Sequence, residues 1–124
     1  DFLQSEDTPA YDLIVFNPPY SISQGGEDKR LAEKIVRKAY QQLAPHGVMV
    51  ALLKTVFVES NVRMDLWRDH RPCQIWHIAD RIPWNKSKYG NSSNTVAYSY
   101  FVWQNGPVSA TTTHWISWKT GETI

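Results

Sequence analysis

Leu13-Ile14-Val15-Phe16 runs directly into Asn17-Pro18-Pro19-Tyr20, and this junction constrains the fold more than any other stretch. Four consecutive apolar residues without alternation read as a short strand buried on both faces, as in a parallel sheet. Two successive prolines cannot donate to a ladder, so the strand ends at Asn17. An amide side chain and a rigid, carbonyl-rich turn therefore stand at a strand's carboxyl end, where open α/β sheets receive ligands. Asn-Pro-Pro is also ordinary turn composition, so its meaning depends on what surrounds it.

After a polar, Gly-containing loop over Ser21 to Gly26, apolar residues recur at Leu31, Ala32, Ile35, Val36, Ala39 and Leu43. That spacing predicts a helix over Asp28 to Leu43, with Glu33 and Arg37 as an i,i+4 pair on its exposed side. Pro45-His46-Gly47 stops it, with Gly47 as the left-handed exit residue. Val48 to Leu53 predicts a second buried strand. A shorter helix follows from about Ser60 to His70, with Val62, Leu66 and Trp67 inward and Pro72 closing it. Gln74 to Ala79 is a third strand and Thr95 to Trp103, with alternating Tyr98, Tyr100 and Val102, a fourth. Arg81 to Asn94 between them is a polar loop. Beyond Gly106 the pattern weakens to a loose tail or a short edge strand.

Strand, helix, strand, helix, strand, strand predicts an α/β fold, a mostly parallel sheet with a final antiparallel strand. The whole of 1–124 reads as one domain, with the α/β pattern over residues 1–105 and the tail or edge strand over 106–124. The formal charge of +1 over 124 residues provides no global basic field. Arg63, Arg68, Arg71, Arg81, Lys86 and Lys88 cluster locally, a pattern that also suits a solvated face. One cysteine, Cys73, excludes an internal disulfide and fits a reducing cytoplasm. Its neighbours suggest a half-buried strand-edge thiol rather than a nucleophile. His46, His70, His77 and His114 have no metal-binding spacing with it. No apolar run is long enough to cross a bilayer, and no signal peptide is read. The sequence opens on Asp1 rather than Met, so a longer gene or a removed leading segment is expected. Of six tryptophans, Trp67, Trp76 and Trp103 sit on periodic elements as core candidates; Trp84, Trp115 and Trp118 do not.

Asn17 to Tyr20, in this strand–turn–helix–strand setting, resembles the catalytic NPPY motif of S-adenosylmethionine-dependent amino-methyltransferases, above all the adenine-N6 DNA methyltransferases of bacteria and phages. The residue types suit that chemistry. The lone pair of an exocyclic amine is conjugated into its ring; two acceptors aimed at its N–H groups favour a pyramidal, nucleophilic nitrogen. The Asn17 side-chain carbonyl supplies one acceptor. The Pro18 carbonyl supplies the other, fixed by Pro18's own ring and by Pro19 after it. Tyr20 offers a ring on which a flipped base stacks, worth about 1–3 kcal/mol.

The resemblance extends over about residues 1 to 105 to the second half of the class I methyltransferase fold, whose last strand inserts antiparallel. It implies cofactor contacts from Asp1, Phe2 and Asn17, since Asp1-Phe2-Leu3 stands where an Asp and an aromatic follow the family's third strand. It implies base and phosphate contacts from Trp84, Lys86, Lys88 and Tyr89, with Trp84 opposing Tyr20 across the base. Lys54-Thr55 falls near the same cleft or simply caps its strand. The implied reaction is direct methyl transfer to adenine N6 in DNA; the same motif also serves enzymes acting on RNA bases or protein glutamine.

The family's glycine-rich cofactor turn has no counterpart here, because Gly25-Gly26 follows the motif rather than a first strand. The N-terminal cofactor-binding half of the fold is thus expected to be missing from this sequence. Two expectations follow. The strand ending at Asn17 has an open, apolar edge, so the chain self-associates or pairs with a partner supplying that half. The isolated chain binds S-adenosylmethionine weakly and is inactive alone. The alternative is an incomplete, non-catalytic remnant or subunit that binds nucleic acid or a partner.

Overall fold

The computed structural model describes residues 11–18, 30–59, 63–80 and 96–124. In chain order these form β1 (Tyr11–Phe16), α1 (Leu31–Gln41), β2 (Leu43–Lys54), a 3₁₀ turn (Thr55–Val58), α2 (Met64–Asp69), β3 (Gln74–Ile78), β4 (Tyr98–Gln104) and β5 (Thr112–Ile116). One five-stranded sheet results, ordered β1-β2-β4-β3-β5. β1 runs parallel to β2, and β3 parallel to β5. β4 is antiparallel to both of its neighbours, β2 and β3. This is the expected α/β fold with an inserted antiparallel strand. The Thr-rich stretch after Gly106 supplies β5, an edge strand parallel to β3.

Alternation along the strands sorts the sheet into two faces. One carries Met49, Ala51 and Leu53 of β2, Phe101 and Trp103 of β4 and Ile75 of β3, all buried. Ala32, Val36 and Ala39 of α1 pack on it with Phe57 and Leu66, and Ile14, Phe16 and Trp67 join at its margin. Phe57 meets Trp67 and Phe101 edge-on, at ring centroids of 5.7 and 5.9 Å, the geometry aromatic quadrupoles favour. Trp103 is fully buried because its indole N–H reaches the His70 carbonyl at 3.0 Å.

The other face is open among the described residues. Leu13 and Val15 of β1 are 61% and 67% exposed, so the strand read as buried on both faces is covered on only one. Trp76 lies on this open face, half-buried and stacked on His114 at 4.4 Å, rather than in the core, because it stands opposite Tyr100 rather than Phe101.

Three local expectations are corrected. The expected Glu33–Arg37 pair forms, at 3.2 Å, but not on the exposed side: Glu33 is 4% exposed, and its carboxylate also accepts from Arg30 at 2.8 and 2.9 Å. Two guanidinium groups let an acidic residue turn toward the sheet without an unpaired buried charge. The left-handed residue of Pro45-His46-Gly47 is His46, at φ 66°, not Gly47. Gly47 is needed for space: a Cβ there would lie 2.8 Å from the carbonyl oxygens of both Ala44 and Tyr11. Finally, β2 starts at Leu43 rather than Val48. The segment between bulges away from β1, whose pairing jumps from Tyr11↔Leu43 to Leu13↔Val48. Asn105 closes the bulge, donating its side-chain amide to Leu43 O at 3.0 Å and its backbone N–H to Gly47 O at 2.9 Å.

Candidate active site at the carboxyl edge of the sheet

Because β2 and β3 are both antiparallel to β4, the carboxyl ends of β1, β2, β3 and β5 share one edge with the start of β4. Ligands of open α/β sheets bind along this edge. Asn17 stands there, directly after Phe16, whose register partner is Ala51 in β2. Asn17 is exposed and Pro18 is buried. The proline ring is anchored while the amide stays free to meet a ligand, and Pro18 forfeits no hydrogen bond by being buried, having no N–H.

Of the other site candidates, Asp1, Phe2, Pro19, Tyr20, Trp84, Lys86, Lys88 and Tyr89 lie outside the described residues. For Pro19 and Tyr20 and for the four candidates between 81 and 95 the described flanks are on the ligand edge: Pro18 follows β1, Asp80 follows β3, and Val96 precedes β4; Asp1 and Phe2 precede the amino end of β1. Asp80 accepts a hydrogen bond from the Ser117 hydroxyl just after β5. That bond, with the Lys119 backbone N–H, holds its carboxyl below the usual range against the opposing effect of desolvation.

A polar chain across this edge escaped sequence reasoning. Thr55, beginning the turn after β2, bonds through Oγ1 to Ser99 Oγ at 2.8 Å. Ser99 in turn meets His77 Nδ1 at 3.0 Å. Ser99 is 0% exposed, and hydroxyls this deep require such partners. The chain ties the ends of β2 and β3 to the start of β4, with Thr55 N–H donating to Ala97 O at 2.8 Å. Thr55 thus fastens the strand end. The available signal was Ser99 itself, the one small polar residue among the inward positions Ser99, Phe101 and Trp103.

Cys73 and His70 lie at the opposite edge. The Cys73 thiol donates to Val102 O at 3.3 Å, and burial raises its pKa, as expected of a structural thiol. Among the described residues no group of three His, Cys, Asp or Glu side chains could hold a metal ion, and no helix is long and apolar enough to cross a membrane.

The fold and this edge define a class that comparison with known proteins makes specific. The profile of the methyltransferase small domain family matches residues 1–65 of the 124. The chain therefore belongs to the methyltransferase small domain family. Among solved structures it is similar to a protein from Listeria monocytogenes assigned as a class I S-adenosylmethionine-dependent methyltransferase, with TM-score 0.66 and 8% identity. A chain of a type I restriction–modification system is also similar, with TM-score 0.52 and 12% identity. The likeness covers 95% and 86% of this chain but only 40% and 23% of those chains. No curated protein matches the sequence.

The family implies S-adenosylmethionine. The described residues fit its reacting end, where exposed Asn17 lies on the ligand edge. Among the described residues no glycine-rich turn follows a strand to receive the ribose and methionine portions.

Proposed function

We propose that this chain forms the target-amine side of an S-adenosylmethionine-dependent amino-methyltransferase whose acceptor is adenine N6 in DNA. The observation that carries this reading is the Asn17–Pro18 turn, an exposed amide followed by a buried proline at the carboxyl end of β1. S-adenosylmethionine, when bound, supplies an electrophilic methyl group. Asn17 Oδ1 accepts one N–H of the exocyclic amine and the Pro18 carbonyl accepts the other, which turns the nitrogen lone pair out of conjugation. Neither oxygen is basic enough to keep a proton, so the one released passes to water. Asn17 also borders the cofactor, together with Asp1 and Phe2. Tyr20 and Trp84 hold the flipped base between them, with Lys86, Lys88 and Tyr89 toward the phosphates. The similarity to a type I restriction–modification chain favours DNA as the substrate class.

A second copy or a partner chain covers β1 in the working enzyme. β1 is an edge strand among the described residues, and Leu13 and Val15 are exposed on it; such an edge recruits another chain.

Mass spectrometry of digested nucleosides, after incubating the active protein with S-adenosylmethionine and DNA, tests the reading. N6-methyladenine is the expected product. Methylation confined to a ring carbon would overturn it, because two acceptors on an exocyclic amine serve no such reaction. Transfer only to RNA or to a protein glutamine would keep the chemistry and replace the substrate.

A further inference from the structure

Beyond β5 the backbone reverses over Ser117 to Gly121 and returns alongside the strand. Trp115 and Ile124 exchange both N–H···O bonds, at 2.9 and 3.0 Å, and Ile116 is bridged to Thr123. Gly121, at φ 76°, adopts the left-handed conformation that the reversal needs, and its N–H donates to Ser117 O at 2.8 Å. Asp80 ties this turn to the end of β3. Its carboxylate accepts the Ser117 hydroxyl and the Lys119 N–H, with the Trp118 N–H bonding to it as well. The carboxyl ends of β3 and β5 share the ligand edge, so the turn is fixed on that edge.

This frame displays apolar surface to solvent. Trp115 and Trp118 are each 46% exposed and Ile124 is 78% exposed. Exposed apolar residues are commonplace singly; three on one hairpin, two of them tryptophan, compose a contact surface. Position selects what it contacts. Four strand spacings of about 4.8 Å separate β5 from β1, so Trp118 stands roughly 19 Å along the edge from Asn17. At about 3.4 Å per stacked nucleotide that is about six nucleotides, within the roughly 4–16 that a single-strand site commonly holds. A nucleic acid seated at Asn17 already occupies this edge, and a protein partner would compete with it for the same space. Charge decides the kind of contact. Lys119 provides one cation and Glu122 one anion, while the Asp80 carboxylate is taken up by the turn. The hairpin is therefore no phosphate cradle, and its recognising groups are the indole faces.

We infer that the Ser117–Gly121 turn is a second DNA-contacting element, in which the Trp118 indole stacks on an unstacked nucleotide several positions from the flipped adenine. Lys119 meets the adjoining phosphate. Asp80 is a positioning residue that holds the ring on the edge. The inference rests on the proposed DNA substrate and adds to it a site remote from the reacting amine.

Fluorescence anisotropy of the full chain with a fluorescein-labelled single-stranded oligodeoxynucleotide of mixed sequence tests it. Every base has a face to stack, so the recognition sequence need not be known. Trp118→Ala should weaken binding about tenfold, Trp118→Phe should retain most of the affinity, and the thermal midpoint of each should match wild type. Lys119→Ala should reduce the slope of log affinity against log salt by about 0.7. Nucleoside mass spectrometry of the active protein runs alongside. If N6-methyladenine forms while Trp118→Ala binds like wild type, the inference is overturned and the reaction stands. If Trp118→Ala loses affinity while no N6-methyladenine forms, the DNA contact stands and the reaction falls. A wild-type chain that binds no DNA overturns the inference. A Trp118→Ala chain that binds DNA normally but sediments as a smaller species overturns it too, marking the turn as a contact between copies.

Discussion

At Asn17 and Pro18 the division of labour is between an exposed amide and a buried ring. The ring fixes where the strand ends and restricts which way the next carbonyl faces, so in the proposed reaction the turn would meet its ligand with little ordering cost. Gly47 performs the opposite task, allowing two carbonyls to approach a backbone that no side chain could occupy. Gly47→Ala should destabilise the protein by about 1–3 kcal/mol, the usual cost of overpacking, seen as a lower urea midpoint with unchanged m-value. His70 gives a pH signature. Burial, reinforced by nearby Arg37 and opposed by Asp69, holds its pKa below the ordinary 6.5. The unfolded chain therefore binds a proton more readily, so stability is full above 6.5 and declines as pH falls toward the depressed value. Replacing the imidazole in His70→Phe keeps a ring on Tyr40 and should flatten the decline in urea titrations between pH 7 and 5. These residue-scale features were unevenly legible. Asn17-Pro18 was readable because proline acts through covalent geometry. The exchanged roles of His46 and Gly47 were not, because a three-dimensional approach by Tyr11 and Ala44 decides them.

Elements with a single apolar period were read correctly in type and roughly in position. α1, β3 and β4 follow their stripes, and the inserted place of β4 between β2 and β3 agrees with the fold the motif implied. The early start of β2 was hidden because Pro45 and Gly47 look like a stop, whereas Asn105, far along the chain, stitches the bulge into the sheet. Burial of Glu33 was likewise invisible, since it depends on Arg30 joining Arg37 around one carboxylate. β1 shows what an uninterrupted apolar run can and cannot say. It specifies a strand but not cover on both faces, and Leu13 and Val15 stay exposed. Val15→Lys, at an exposed position on the edge strand, should shift a concentration-dependent dimer toward monomer in sedimentation equilibrium while leaving the monomer's unfolding free energy, from urea titration, within about 0.5 kcal/mol of wild type. A wild-type chain that stays monomeric at high concentration and recruits no partner would refute the association.

On the scale of the molecule, one sheet separates two edges with different chemistry. The carboxyl edge carries the Asn17 turn and the Thr55–Ser99–His77 chain that fastens neighbouring strand ends. The amino edge carries Cys73 and the backbone of His70, both bonded to β4. The fold follows from the arrangement of strands and the family from the profile match over residues 1–65; the role proposed for the carboxyl edge rests on what the Asn17 turn would do to an amine. The direct test of that role is Asn17→Ala in the active protein, with turnover and S-adenosylmethionine affinity measured side by side. An acceptor that acts on the target amine predicts turnover lower by about 10²-fold or more with cofactor affinity within about threefold of wild type. Full turnover, or turnover and affinity lost by the same factor, would contradict it.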